Sequence, residues 1–271
     1  MSSESPTATV IGAQRTNDTA LVRPRSKFFL GMSILLLVFV LSGFAPTLYL
    51  RAFFDVAPIP GYLYLHGAIL TGWFVWLVVQ TSLVQTARTA THRRLGIVGA
   101  VWAAIVVAGG LLATLNVVAR VVANGIDLDS DISVLPALGV TGMTVAVFLS
   151  NVVWPNLASV CAFTFLVAAA VLLRGRPQAH KRLMLLASIA IIGPAVARVS
   201  RWPPFGGEDS PFVLVVLLSL LAALVLHDLV TIKRVHAATL IGGALLILLG
   251  GVFAGVIAGS PFGLAFTRSL Q

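Results

Sequence analysis

The sequence predicts an all-α fold that crosses a membrane several times, and three observations carry that prediction. Of 271 residues, 58% are hydrophobic and only 10% are charged, whereas soluble domains carry about 25% charged residues. Mean hydropathy is +1.01, so a water-soluble fold of this length would lack polar side chains to cover its surface. The apolar residues also fall in runs close to the ~20 residues a helix needs to cross a hydrocarbon core.

Residues 1–27 are polar and rich in Ser and Thr. They are expected to form a disordered cytoplasmic tail, too long and too polar to open a signal peptide, so the first apolar run should stay in the membrane. Seven runs read as transmembrane helices, at 28–50, 62–86, 95–122, 153–173, 182–202, 211–229 and 236–258. They form a bundle over 28–258 and leave 259–271 as a short external tail. The stretch 134–150 is shorter and carries Pro136, Gly139, Gly142 and Ser150.

Charge decides how that stretch is read. With seven spans and a cytoplasmic N-terminus, 13 of the 18 Lys and Arg residues fall on one side. Only Arg51, Arg120, Arg198, Arg201 and Arg268 fall on the other. This is the asymmetry of cytoplasm against exterior. An eighth span at 134–150 would move every later basic cluster outside, so the stretch is read as an external re-entrant or interfacial segment. Asp127, Asp129, Asp131, Glu208 and Asp209 then lie outside as well.

The formal charge of +9 sits in short clusters between apolar runs. That pattern points to the lipid bilayer, with anionic lipids at the cytoplasmic face as counter-ion, and away from nucleic acid. The single cysteine, Cys161, rules out an intramolecular disulfide and reads as a packing residue. Gly251, Gly255 and Gly259 recur every fourth residue, a bare face for close helix approach inside the chain or in a homodimer.

Two tetrads carry the chemistry. "HRRL" at 92–95 and "HKRL" at 180–183 each open an apolar run, with Arg88 and Arg176 four residues ahead of their histidines. Cations at a helix N-terminus oppose the helix dipole, a cost that headgroup phosphates or a bound anion offset. The dipole keeps an imidazole neutral and able to ligate. His227 and His236 fall on the same membrane side, with Asp228 adjacent in sequence. His92, His180, His227 and His236 are therefore candidate cofactor ligands, for haem or a transition metal, with arginines pairing to propionates. No HxxH, HExxH or HxxxH spacing supports them. His66, Asn116, Arg120 and Arg198 form an outer candidate site for a small anion, because intramembrane ionisable groups mark functional sites, though such arginines also snorkel. Tyr62, Tyr64, Trp73, Trp154 and Trp202 read as interfacial or packing aromatics. No nucleotide-binding glycine loop, nucleophile elbow or zincin motif is present.

The stretches "HGAILTGWFVWLVVQTSLVQTARTATHRRLG" and "HKRLMLLASIAIIGPAVAR" resemble a group of bacterial multi-span membrane proteins with His-Arg-rich cytoplasmic turns. His66, Trp73, Gln80, His92, Arg94, His180, Arg182 and Arg198 carry the resemblance. It covers about 66–96 and 180–198, implies a bacterial inner membrane, and implies no known activity. Histidines near helix ends are also similar to cytochrome-b561-like proteins. The chain departs from that pattern because His66 alone is on the outer side, so a bis-histidine haem there is not available within one chain. Three readings stand on the sequence: a redox or metal protein using the inner histidines, a small-anion carrier or sensor, and a non-catalytic scaffold or assembly factor.

Overall fold

A computed structural model describes residues 27–56, 58–135, 140–205 and 211–271. Residues 1–26, Pro136, Gly139, Glu208 and Asp209 lie outside these. Among the described residues the helices are α1 (Phe28–Phe44), α2 (Gly61–Gln85), α3 (Thr89–Leu115), α4 (Val117–Ala123), α5 (Val145–Leu172), α6 (Pro177–Ala190), α7 (Gly193–Ser200), α8 (Phe212–Ile232), α9 (Ala237–Leu246), α10 (Ala254–Ala258) and α11 (Pro261–Arg268).

Six stretches are long and apolar enough to cross a membrane: Phe28–Tyr49, Gly61–Gln85, Thr89–Ala123, Val145–Leu172, Phe212–Ile232 and Ala237–Ala258. A seventh forms when α6 and α7, bent by 48°, are taken as one span. The chain is an all-α, polytopic membrane protein. Local chemistry explains its irregularities. Pro46 brings no backbone N–H to the turn that extends α1, which widens to a π-type turn over Ala45–Tyr49. Gly193 and Pro194 open α7, so the chain bends at Ile191 and Ile192 instead of continuing α6. The α2–α3 hairpin closes through Ala87 in the left-handed region, with φ 65°.

Three span starts differ from the sequence expectation. The third span begins at Thr89 rather than at 95, so His92 stands in the first turn of α3 instead of ahead of it. The fourth span begins at Val145 rather than at 153, so the last residues of 134–150 extend α5 and build no separate segment. The Thr144 hydroxyl caps this start by accepting from the Val147 N–H at 3.4 Å. The fifth span begins at Pro177 rather than at 182, because proline fits the first helical turn, where its missing N–H costs nothing. Beyond the seventh span, residues 261–268 form α11, which lies against α5. The Trp154 indole N–H donates to the Gly263 carbonyl at 3.2 Å.

Successive spans alternate in direction, so the starts of α1, α3, α6 and α9 share one end of the bundle, the basic end. The core centres on α6, whose Leu183, Leu185, Leu186, Ala187 and Ile189 are all buried, with Trp73, Phe74 and Phe163 packed around them. At Gly43 a side chain would run into the Ala195 carbonyl, so α1 crosses α7 backbone to backbone. Gly251 and Gly255 instead meet nothing within 4 Å. A smaller core at the opposite end joins Val118, Leu128, Ile132, Val145 and Leu149.

Candidate functional site: two polar clusters at the basic end

The first cluster is a buried ion pair. Arg182 on α6 and Asp228 on α8 are 1% and 0% exposed. Asp228 Oδ1 accepts from Arg182 Nε at 2.8 Å and from Arg182 Nη2. Its Oδ2 accepts from the His236 backbone N–H at 3.0 Å and the Thr239 hydroxyl at 2.6 Å. Arg182 Nη1 donates to the backbone carbonyl and side-chain oxygen of Gln178, both at 2.8 Å. The left-handed Lys233 (φ 59°) ends α8 and turns the chain back toward Asp228. Burying two charges is expensive, and only full hydrogen bonding offsets the loss of water. Here four donors meet the carboxylate, so it functions as a clamp joining α6, α8 and α9.

His227 and His236 belong to this cluster. The His227 ring stacks on Phe28, centroids 4.1 Å apart and planes 5° from parallel, with Phe29 edge-on. His236 caps α9: its Nδ1 accepts from the Ala238 N–H at 3.0 Å. That bond occupies the ring's lone pair and leaves only an N–H pointing outward. Burial, then the nearby Arg182 charge, holds the His236 imidazole below its usual value.

The second cluster joins the other two histidines. His92, in the first turn of α3, and His180, in the first turn of α6, have ring centroids 6.2 Å apart at 79°. His180 Nδ1 lies 2.8 Å from the Ala170 carbonyl. A carbonyl only accepts, so Nδ1 carries the hydrogen and Nε2 keeps its lone pair in the neutral ring. His92 lies against the Gln80 backbone. His92 Nδ1, both amide atoms of Gln80 and the Trp76 indole nitrogen are buried without a hydrogen-bond partner. Trp76 and Gln80 are one turn apart on α2, and the Trp76 nitrogen packs over Gly99 of α3. Each unmet buried group costs about 1–3 kcal/mol.

At the opposite end the four sequence candidates are spread along the helices. His66 Nδ1 is 3.1 Å from the Gly109 carbonyl and within electrostatic reach of Arg198. The Arg198 guanidinium covers the Phe44 ring at 4.3 Å, and its Nη1 donates to the Pro194 carbonyl at 2.9 Å. Asn116 is exposed, its amide folded onto the Leu112 carbonyl at 2.8 Å. Arg120 is half-buried one turn further on. Between the two ends, Trp73 Nε1 donates to Ser188 Oγ at 3.1 Å.

Fold and sites together define a polytopic helical membrane protein with a saturated clamp and an unsaturated polar cluster side by side. No protein-family model, curated protein or solved structure matches the chain. Sequence reasoning placed Asp228 beside a histidine and missed its pairing with Arg182. The available signal was that the one acid in the sixth apolar run needs a partner. Trp76 and Gln80 were missed as site residues; an intramembrane glutamine one turn from a tryptophan was the signal for them.

Proposed function

We propose that the protein is a membrane carrier or sensor for small oxyanions, bound between α2, α3 and α6 by the N–H groups of Trp76 and Gln80, beside His92 and His180. One observation supports this above others: the four unpartnered buried atoms at His92, Gln80 and Trp76. Those of Gln80 and His92 lie toward an end rich in cations, with the Trp76 nitrogen a turn deeper in the membrane, and at that end Asp228 is the one acid among the described residues and is consumed by Arg182. The donors here are the Trp76 indole and Gln80 amide N–H groups, and donors in a positive field suit an anion, while the neutral imidazoles of His92 and His180 turn lone pairs to the site and line it without donating. In this reading the basic end faces the cytoplasm of a bacterial inner membrane, and its exposed Arg88, Arg93, Arg94, Arg174 and Arg176 meet anionic headgroups.

The test is thermal unfolding of the detergent-solubilised protein with sodium acetate, phosphate or chloride at fixed ionic strength. A saturable rise with an oxyanion is expected, worth about 2.7 kcal/mol at a hundredfold excess over Kd. Gln80→Leu and His92→Ala should remove it while leaving the protein folded. No rise with any oxyanion, or an equal rise in the variants, overturns the reading.

A redox or metal role is the second reading, favoured by His180, whose Nε2 lone pair is oriented by the Nδ1–H bond to Ala170 as in metal-ligating histidines. Two imidazoles are fewer than the three or four ligands of a zinc site, and the described residues contain no group of three or more His, Cys, Asp or Glu that could hold a metal. A Soret band or stoichiometric metal in the purified protein selects this reading.

A further inference from the structure

A groove of about 390 Å³ runs along α2 at the end opposite the basic clusters. Its walls are Leu48 and Tyr49 of the widened turn after α1, and Tyr64, Thr71 and Val75 of α2; Ala68 and Gly72 make its floor. Size alone places it within the ~300–1,000 Å³ of small-molecule sites. Its length is more informative. Tyr64 to Val75 is eleven residues, roughly 16 Å at 1.5 Å per residue, which matches one leaflet, half of a ~30 Å hydrocarbon core. The groove therefore runs from near the membrane surface to the middle of the bilayer.

Its chemistry changes along that length. The deep part is apolar, with a floor no bulkier than a methyl group between Ala68 and Gly72. The one polar pair in the wall is internally satisfied: the Thr71 hydroxyl donates to the Gly67 carbonyl at 2.6 Å, which leaves the Tyr49 hydroxyl to donate to Thr71. Nothing in the deep groove asks for a polar ligand. The mouth differs. The Arg51 guanidinium lies 5.9 Å from the ring centroid of Tyr64, the outermost α2 residue of the groove, and its Nη2 donates to the Val56 carbonyl at 3.1 Å, which holds the side chain beside that ring. A planar cation beside a tyrosine, at the interface and above an apolar slot one leaflet deep, complements an anionic headgroup above an acyl chain.

We infer that this groove binds one anionic phospholipid, its acyl chain along Ala68, Gly72 and Val75 and its phosphate at Arg51. The site is independent of the basic-end cluster and carries no anion into it. The bound lipid fills the hollow between α2 and the turn after α1, and so holds that turn against α2.

Native mass spectrometry of the full chain, incubated with equal excesses of phosphatidylglycerol and phosphatidylcholine, tests this. One retained phosphatidylglycerol per chain is expected. Ala68→Trp fills the groove and should lower its occupancy at least tenfold. Arg51→Gln should abolish the preference for phosphatidylglycerol while leaving some lipid bound. Ala68 is exposed, so the substitution should leave helicity and monodispersity unchanged; if it does not, Val75→Trp at the deep end gives the same readout. Undiminished lipid in the groove-filling variant, equal retention of the two lipids by the unmodified chain, no retained lipid, or a dimer mass lost with Ala68→Trp would each overturn the inference.

Discussion

Replacing Asp228 by asparagine removes the charge that neutralises Arg182 while preserving size. Arg182 is 1% exposed, so its guanidinium cannot reach water without moving α6 away from α8. Two of its donors, Nε and Nη2, would face an amide instead of a carboxylate, and its charge would remain buried. Breaking a buried pair on one side costs about 3–5 kcal/mol. At roughly 2–4 °C per kcal/mol for a chain of this size, Asp228→Asn should lower Tm by roughly 6–20 °C. The double variant Arg182→Met/Asp228→Leu removes both charges and should recover most of the loss, because apolar replacement of a whole pair ranges from neutral to ~4 kcal/mol stabilising. Circular dichroism of the detergent-solubilised single and double variants supplies the cycle. Unfolding of Asp228→Asn within about 2 °C of the unmodified protein, or a double variant as damaged as the single, would show that the pair does not clamp α6 to α8.

Four further outcomes follow from the geometry. Gly43→Ala should destabilise by about 1–3 kcal/mol through overpacking on the Ala195 carbonyl, whereas Gly255→Ala, which meets open space, should be near neutral; paired thermal unfolding checks both. His236→Ala should cost about 1 kcal/mol by uncapping α9, and His236→Asn should restore most of it. Because the folded His236 ring resists protonation relative to its usual 6.5, the unfolded chain binds more protons below that pH. Stability should therefore be full above pH 6.5 and fall as pH drops below it, and His236→Asn should lack this component. The Asp129 carboxyl, held below its usual 3.8 by the hydrogen bond from Arg268, should stay ionised at pH values where exposed aspartates have protonated, as carboxyl-carbon NMR would show; an Asp129 that titrates at 3.8 denies the bridge.

The fold was readable to the extent that hydrophobicity encodes it. Runs 28–50, 62–86 and 236–258 stand within a few residues of Phe28–Tyr49, Gly61–Gln85 and Ala237–Ala258, because a lipid-facing helix must be apolar along its whole length. Boundaries failed where polarity and helicity part company. Ser150 closed the stretch set apart at 134–150, yet its hydroxyl donates to the Ala258 carbonyl at 2.8 Å, and α5 runs through it. The bend of α6–α7 was hidden because Gly193 and Pro194 are both apolar enough to sit inside a hydropathy run. The site was half legible. His92 and His180 share a cluster that the repeated tetrads suggested, while His227 and His236, on the same side of the membrane, serve an aromatic stack and a helix cap. Nothing local in sequence tells which face of a helix a histidine takes once its neighbours are chosen by packing. The Arg182–Asp228 pairing, 46 residues apart, is tertiary information of the same kind.

The most direct test of the anion-site reading is ring-nitrogen NMR of His92 and His180, labelled in protein reconstituted into liposomes and titrated with acetate. Both sets of resonances should move together and saturate, while those of His227 remain in place, and Gln80→Leu should abolish the movement. His92 and His180 resonances that stay fixed throughout the titration, or that move identically in Gln80→Leu, would contradict an anion site between α2, α3 and α6.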